Sequence, residues 1–326
     1  MTGKVIMQIK KISLKELDLE DQRFRFTLDR PDEKFIRSVK EVGIIEPIII
    51  IPRKTYKVLV SGWKRVEAAR VCRVIALPAL ELEEKIDDLE AFTLAFFVSY
   101  GQRQFSLAEK ALAAKKFHDF GLGDRDLIGR ILPHLELPPE RRTLRILLEL
   151  SSLGEGLEII HRKDWKLNTA EQFLNFSDEE RKWLLDLVKK LTHNEQKEIV
   201  EMFSTLRRRK NRGLKEICQE PEIASCLELF KKGRPEAGGR LLSLLRKESR
   251  PQISGLNNEM DLTIKGLRLP QKVNLEYDRT LEKSSLRLVL EVESRTELEK
   301  LLHSLTEKLR DERWQRLFEI LNHKGE

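Results

Sequence analysis

The sequence predicts a mixed α+β protein with a helical centre. A small α+β domain comes first, an all-helical domain follows, and a small α+β domain ends the chain. Three observations predict this order: β-branched segments alternate with helical periodicity up to about residue 105, strand signals then nearly vanish, and two alternating segments return after residue 250. The predicted domains are residues 1–105, 106–232 and 250–326.

Length and composition fit a soluble protein of two or three domains. The chain has 326 residues, and its 61 Lys and Arg exceed its 54 Asp and Glu, for a net charge of +7. This excess makes a polyanionic partner plausible without requiring one. The three cysteines match neither a zinc site nor a disulfide framework, and no leader or membrane-length apolar stretch occurs. We therefore expect a cytoplasmic protein without a membrane partner.

The N-terminal elements follow from short periodic segments and their ends. Alternation from Lys4 to Ile12 predicts a strand, and Ser13 with Glu16 forms a capping box for a short helix. Helical spacing predicts a helix from Asp32 to Val42, because Gly43 then supplies an end signal. The later elements of this domain are predicted as strands 44–52, 56–60 and 78–82 and helices 63–71 and 87–98.

Capping boxes, turn residues and alternating segments predict the elements of the rest of the chain. Three capping boxes open helical runs in the middle domain, and their Ser or Thr and Glu residues are Ser106 and Glu109, Ser177 and Glu180, Thr192 and Glu195. Glycine and proline predict a hinge across Lys231–Pro235 and Gly238–Gly239. Beyond it, alternation predicts strands at 273–277 and 286–292, and a helix follows Ser294.

The strongest chemical signal is the junction where a strand delivers Gly62 into a turn and a helix begins. Glycine lets a ligand approach the backbone, free N–H groups at a helix start attract anions, and Lys64 and Arg65 add positive charge. The turn therefore suits a phosphate group. The alternative is that both cations are simply solvated in the first helical turn.

Three segments in this order resemble the N-terminal domain of the ParB/RepB partition proteins. They are Gly43-Ile-Ile-Glu-Pro-Ile48, Val60-Ser-Gly-Trp-Lys-Arg-Val-Glu-Ala-Ala69, and Gln102-Arg103 followed by Ser106-Leu-Ala-Glu-Lys-Ala111. The likeness covers about residues 5–118. It implies a fold shared with sulfiredoxin, in which the turn holds a nucleoside triphosphate, namely CTP with Mg²⁺ in ParB proteins.

The resemblance assigns the nucleotide-binding residues one by one. Gly62, Lys64 and Arg65 match the phosphate turn, and Gln102 and Arg103 match the end of the second motif. Gly43 and Pro47 match the loop near the base.

The chain also departs from the family pattern. Glu46 stands where the family has Gln, Trp63 where it has Glu, and Lys64 where it has Arg. Ser99 and Tyr100 replace the Glu-Asn pair that supports Mg²⁺ and hydrolysis, and neither supplies the missing carboxylate. The departures argue against nucleotide hydrolysis and leave the pocket regulatory or vestigial.

Two basic clusters are candidates for DNA binding. In ParB relatives the helical middle carries a helix-turn-helix; here 121–132 suits its first helix, although Pro133, Pro138 and Pro139 interrupt the residues after it. The next predicted helix, 140–150, carries Arg141, Arg142 and Arg145. That helix either faces DNA or packs through its leucines and merely exposes the arginines.

The second cluster is the most concentrated positive charge in the chain. It consists of Arg207, Arg208, Arg209, Lys210 and Arg212. A helix C-terminal cap explains some of these cations, but five within six residues exceed what a cap needs, which favours contact with a nucleic-acid backbone.

No other chemistry emerges from the sequence. The six histidines are scattered without metal-ligand spacing, and no triad, zinc site or P-loop is present.

We expect a DNA-binding protein of chromosome partition or plasmid maintenance. By family likeness it acts as a dimer, with a partition ATPase as an expected partner. The alternatives are an enzyme of the same fold, either a nucleotide hydrolase or a nuclease, and a protein-interaction module. An enzyme would need an acid near Arg103.

Overall fold

The computed structural model describes residues 8–322 except residues 235, 280 and 282. The chain divides into two compact units, Met1–Ser204 and Thr205–Glu326. The start of the predicted first strand, residues 4–7, and Pro235 of the predicted hinge lie outside the described residues.

A five-stranded mixed sheet forms the centre of the N-terminal region. The strands are β1 (Gln8–Ser13), β2 (Leu17–Asp18), β3 (Ile48–Pro52), β4 (Lys57–Ser61) and β5 (Ala76–Glu81). Their order in the sheet is β1-β5-β3-β4-β2, with β3 and β4 as an antiparallel hairpin and β3 parallel to β5. The isoleucines of β3 are buried on both faces of the sheet, so this central strand reads as a continuous apolar run.

Helices make up the remainder of this unit, and the last of them continues past Ser204 into the second unit. In chain order they are α1 (Glu33–Val42), α2 (Trp63–Val71), α3 (Asp88–Tyr100), α4 (Leu107–Asp119), α5 (Asp124–Asp126), α6 (Leu132–His134), α7 (Arg141–Ser151), α8 (Gly156–Arg162), α9 (Leu167–Leu174), α10 (Asp178–Val188) and α11 (His193–Lys210). A 3₁₀ turn, Leu14–Glu16, separates β1 from β2, and its predicted capping box is present.

A cluster of phenylalanines joins α3 to α4. Phe117 of α4 lies 4.7 Å from Phe92 and 5.2 Å from Phe96, measured between ring centroids. Both pairs are edge-to-face, the geometry that aromatic rings prefer. The last helix of the predicted first domain and the first helix of the predicted second domain therefore share a core.

The helical segment before α7 accommodates the first of the three prolines. A π-helical turn, Leu127–Ile131, links α5 to α6, and the N–H of Leu132 donates to the carbonyl of Leu127. Pro133 has no N–H to donate, and its ring would crowd the carbonyl of the preceding turn in a regular helix. The wider turn directly before the proline relieves this conflict, so the segment stays helical.

The second unit has its own core. Its elements are α12 (Leu214–Cys218), α13 (Pro221–Lys231), α14 (Ala237–Ser249), α15 (Pro251–Gly266), β6 (Val273–Tyr277), β7 (Leu286–Leu290), α16 (Arg295–Lys308) and α17 (Arg313–Asn322). The strands β6 and β7 form an antiparallel pair. Met260, Leu275 and Leu317 are buried together between the strands and helices. Helix α14 runs through Gly238 and Gly239, where the sequence predicted part of a hinge.

The predicted fold class is confirmed: the chain is mixed, with a helical majority and strands towards both ends. The residue boundaries of the three domains stay predictions. Within residues 8–322, none of the helices combines the length and apolar composition needed to cross a bilayer.

Candidate functional site

The turn between β4 and α2 is shaped around Gly62. This residue has φ +109°, a left-handed conformation that side chains rarely adopt. A Cβ placed on it would lie 2.7 Å from Cγ2 of Ile48 in β3. Glycine is therefore required by both the backbone angle and the close approach of the neighbouring strand.

The loop before β3 reaches the start of α2. Arg65, in the first turn of α2, forms an ion pair with Glu46, which lies in the segment between Gly43 and Pro47. Most of the Glu46 side chain is exposed, whereas that of Arg65 is only 15% exposed. The structure thus brings the predicted base loop and the predicted phosphate turn together.

Lys64 also faces a carboxylate. Its Nζ lies 3.8 Å from Oδ2 of Asp32 and 5.1 Å from the centroid of the Phe35 ring. Asp32 is the N-cap of α1, where its side chain accepts a hydrogen bond from the N–H of Phe35. The lysine is held beside α1 by one charge contact and one cation–π contact.

Trp63 belongs to the core. It is 6% exposed and packs among Ile48, Leu59 and Val66, and Arg25 lies 4.9 Å above its ring. Its burial gives Trp63 a packing role.

Arg103 lies in a network of carboxylates after α3. Its guanidinium donates to both oxygens of Glu109, at 2.7 and 3.1 Å, and lies 2.7 Å from Oδ2 of Asp29. Glu109 is fully buried and also accepts hydrogen bonds from the N–H groups of Leu28 and Ser106. Each of its oxygens therefore has partners, as a buried carboxylate requires.

The pKa values of this pair follow from the same contacts. Burial alone would raise the pKa of Glu109, but the hydrogen bonds from Arg103, Leu28 and Ser106 outweigh it and hold the pKa below its ordinary value. Burial likewise opposes the charge of Arg103, and contact with Glu109 and Asp29 nevertheless raises its pKa. Both groups are charged at neutral pH.

The same network extends to α8. Ser106 Oγ lies 2.7 Å from Nδ1 of His161, and Nε2 of that histidine lies 3.2 Å from Oδ1 of Asp29. Asp29, Glu109 and His161 each place one metal-ligand atom within 4.8 Å of the others. Because the Arg103 guanidinium contacts both carboxylates, its positive charge offsets one of their two negative charges and its N–H groups occupy their oxygens, so the arrangement suits an ion-pair network better than a cation site.

Sequence reasoning missed the partners of the predicted cations. Asp29 and Glu46 were not recognised as counterions, and Glu109 was recognised only as a capping residue. The criterion for an enzyme, an acid near Arg103, is met in distance by two carboxylates. Glu109 is buried and its oxygens are used by hydrogen bonds, and Asp29 is partly exposed and paired with Arg103 and His161. Gln102 is exposed in the turn that follows α3.

Helix α7 separates its apolar and basic faces. Leu144, Leu147 and Leu150 are buried, whereas Arg141 and Arg145, one turn apart, are exposed. The helix packs on α4 and α9. The helix can therefore both pack through its leucines and face DNA, because the leucines and the exposed arginines lie on opposite faces. Arg142 is exposed but pairs with Glu171 of α9 through two hydrogen bonds.

Some side chains of the basic run at the end of α11 form hydrogen bonds and ion pairs within the second unit. Arg209 donates to the carbonyl oxygens of Glu248, at 2.8 Å, and Ser249, at 3.4 Å, at the end of α14. Lys210 pairs with Glu220 and Glu248. Arg212 lies 3.8 Å from Glu220. Arg208 is exposed, and Arg207 has a contact of its own.

Comparison with known proteins finds relatives among the partition proteins. No protein-family model matches the chain. It is 26% identical over 201 residues to the probable chromosome-partitioning protein ParB of Borreliella burgdorferi, covering 60% of this chain and 74% of that protein. It is 26% identical over 147 residues to the chromosome-partitioning protein Spo0J of Thermus thermophilus, covering 45% of this chain and 52% of that protein.

The chain is therefore similar to the ParB-like partition proteins. Similar solved structures are those of C-terminally truncated ParB from Caulobacter crescentus. The ParB chain in the complex with CTP-γ-S is 17% identical to this chain. The match covers 60% of this chain and 92% of that chain, with a TM-score of 0.26. The ParB chain in the complex with the centromeric parS site is 14% identical to this chain. That match covers 59% of this chain and 98% of the ParB chain, with a TM-score of 0.32.

Proposed function

We propose that this ParB-like protein binds DNA through α7 and acts in the partition or maintenance of a chromosome or plasmid. The segment 124–134 and α7 would be the two helices of a helix-turn-helix, with α7 as the recognition helix. The partition role is carried over from the named relatives. The contact with DNA is argued from α7 itself.

The observation that carries the proposal is the placement of arginines in the first turn of α7. Positive charge at a helix N-terminus opposes the macrodipole, at a cost of about 0.3–1 kcal/mol for each exposed side chain. Arg141 and Arg142 occupy that turn, and Arg145 follows one turn later. Helix stability does not explain this arrangement. Contact with DNA phosphates or with base edges in the major groove does, because recognition helices dock their N-terminal residues there.

The basic run at the end of α11 would contribute less specific contacts. Helix stability explains part of it, since cations favour a helix C-terminus, and Arg209 and Lys210 have partners in their own unit. Arg208 is the member whose exposure best suits a phosphate contact. Such a contact would add affinity without sequence preference.

The turn at Gly62 would be a regulatory or vestigial pocket for a nucleoside triphosphate, with CTP and Mg²⁺ as the ligand that the resemblance implies. Its residues would be Gly43, Pro47, Gly62, Lys64, Arg65, Gln102 and Arg103. We expect no turnover. The hydroxyl of Ser99 donates to the carbonyl of Ala95 within α3, and Tyr100 stacks on Phe96, so neither supplies the missing carboxylate.

The remaining partners follow from the family. A homodimer would present two copies of α7 to a two-fold symmetric DNA site, as dimeric helix-turn-helix proteins do. A partition ATPase would be the protein partner, and DNA as ligand would place the protein in the cytoplasm.

The test is a titration of the full chain against a fluorescent duplex of random sequence over a series of salt concentrations. Counterion release predicts binding at low salt and a decrease in affinity, on logarithmic axes, of about 0.9 per phosphate bound. The same titration with CTP, ATP or GTP added shows whether a nucleotide changes the affinity. If the duplex does not bind at low salt in any of these conditions, the DNA-binding proposal is wrong.

A further inference from the structure

Each predicted cation of the nucleotide pocket is paired with a carboxylate of the same chain. Arg65 pairs with Glu46, Lys64 lies beside Asp32, and Arg103 pairs with Asp29 and Glu109. A triphosphate would need the same guanidinium and ammonium groups. These carboxylates therefore compete for the positions that phosphate oxygens would take.

Two of the competing carboxylates come from one short segment. Asp29 contacts Arg103, and Asp32, three residues later, contacts Lys64. This segment, residues 29–32, leads into α1 and contains Pro31, whose ring fixes one backbone angle. The segment therefore connects both groups of predicted phosphate ligands.

Glu46 and Asp32, whose side chain is 67% exposed, can leave their partners more easily than Glu109 can. The Glu46 side chain is 70% exposed, whereas Glu109 is fully buried. An exposed carboxylate can rotate into solvent without disturbing the core, and an exposed ion pair contributes little to stability. Removing the charge of Glu46 should therefore leave the fold intact.

We propose that Glu46 is an autoinhibitory residue of this pocket, because it pairs with Arg65 in place of a phosphate and so weakens triphosphate binding. Asp32 does the same at Lys64. The inference rests on the proposed nucleotide pocket and deepens it. The chain carries its own anions at the turn, and a triphosphate binds only by displacing them and by overcoming their repulsion.

The experiment measures binding of Mg²⁺-CTP, Mg²⁺-ATP and inorganic tripolyphosphate by isothermal titration calorimetry. The proteins are the wild type, Glu46→Gln, Asp32→Asn and the double variant. Glutamine keeps the shape of Glu46 and removes its charge, and asparagine retains the ability of Asp32 to cap α1. Glu41→Gln, an exposed carboxylate of α1, is the matched control for removal of one negative charge.

We expect Glu46→Gln to bind CTP and tripolyphosphate about tenfold more tightly than the wild type, because one ion pair no longer has to be broken and one repulsion is removed. The double variant should gain further, and Glu41→Gln should match the wild type. The gain should shrink as salt is raised, because the screened charges then compete less.

Equal affinities of the wild type and Glu46→Gln for CTP would overturn the inference while leaving the pocket in place. If no variant binds any of the three ligands, both the pocket and the role of Glu46 are wrong. DNA binding is measured separately, so its failure would affect the proposed function and not this result.

Discussion

Glu109 shows how one buried charge can hold several segments together. Its carboxylate caps the start of α4, receives a hydrogen bond from the backbone of Leu28, and pairs with Arg103 in the turn after α3. A buried charge is tolerated only when its partners are complete. The partners of Glu109 are Leu28 and, close to Glu109 in the sequence, Arg103 and Ser106, so the carboxylate ties the segment at Leu28 to the start of α4.

Replacing Glu109 with Gln should therefore destabilise the protein. We expect the free energy of unfolding to fall by about 2–3 kcal/mol, since an amide cannot accept from both Arg103 and two N–H groups at once. Urea unfolding followed by circular dichroism measures this change. Glu158→Gln removes a half-exposed partner of Arg162 and should change stability by less than about 1 kcal/mol. Equal effects of the two variants would contradict the structural role of Glu109.

The effect of Glu109 also depends on pH. The pKa of Glu109 lies below its ordinary value in the folded protein, so its stabilisation is present above the unfolded pKa and is lost as pH falls through the folded pKa. The difference in stability between the wild type and Glu109→Gln should thus be largest near neutral pH and shrink on acidification below about pH 4.5, the ordinary value. A difference that grows in acid would show that the carboxylate is not stabilised in the folded state.

Gly62→Ala should disrupt the turn at the start of α2. The new Cβ would meet Ile48 at 2.7 Å, and the left-handed backbone adds strain of about 1–3 kcal/mol. Gly129→Ala is the matched control, because Gly129 lies in the helical segment 124–134 with no atom within 4 Å of its added Cβ. We expect a lowered melting temperature only for Gly62→Ala. An unchanged melting temperature in that variant would contradict the role assigned to the close approach.

The role of a residue was predictable from the sequence when its partners are only a few residues away. Ser13, Ser106 and Ser177 each form the capping box that their spacing to a glutamate indicates. The counterions Asp29 and Glu46 were not predictable, because an ion pair between distant segments leaves no periodic signal. Their partners depend on how the chain is folded.

Secondary structure was predicted best where an element has a clear end. Helix α1, predicted from Asp32 to Val42, runs from Glu33 to Val42 and ends before Gly43, as the predicted end signal indicates. Helix α14 was not predicted, because Gly238 and Gly239 indicated a hinge; they lie in its first turn, and Gly238 is buried. Packing against the neighbouring helix α13 outweighs the low helix propensity of glycine there.

At the level of helix α7, we expect Arg141→Ala and Arg145→Ala to weaken DNA binding and to reduce the salt slope by about 0.9 for each phosphate that the side chain no longer binds. Arg142→Ala should have a smaller effect, since Glu171 already neutralises its charge. Arg162→Ala in α8 is the control. Fluorescence anisotropy over a salt series measures all four variants, and identical slopes in all of them would remove α7 from the DNA-binding surface.

The basic run at the end of α11 should separate into binding and structural residues. Arg208→Ala should weaken DNA binding without changing stability, because its side chain is exposed. Arg209→Ala should lower stability by about 1 kcal/mol, because the carbonyl groups at the end of α14 would be left without this donor. Thermal unfolding and DNA titration of both variants test this division. The opposite pattern would show that the hydrogen bonds of Arg209 to α14 do not stabilise the protein in solution.

For the whole molecule, the sequence predicted the fold class but says little about how the domains pack. The phenylalanines of α3 and α4 form one cluster across the predicted boundary at residue 105. Each of these phenylalanines fits an apolar helix face, and periodicity alone does not tell which face meets which. The network around Arg103 crosses the same boundary.

The central claim is that this ParB-like protein recognises a DNA site through α7, and selection from a random duplex pool tests it most directly. The full chain should enrich a short sequence, arranged as an inverted repeat if the protein is a dimer. The variant with Arg141 and Arg145 both replaced by Ala should not enrich that sequence. A pool that shows no enriched sequence with the wild type, or the same enriched sequence with the double variant, would contradict the claim.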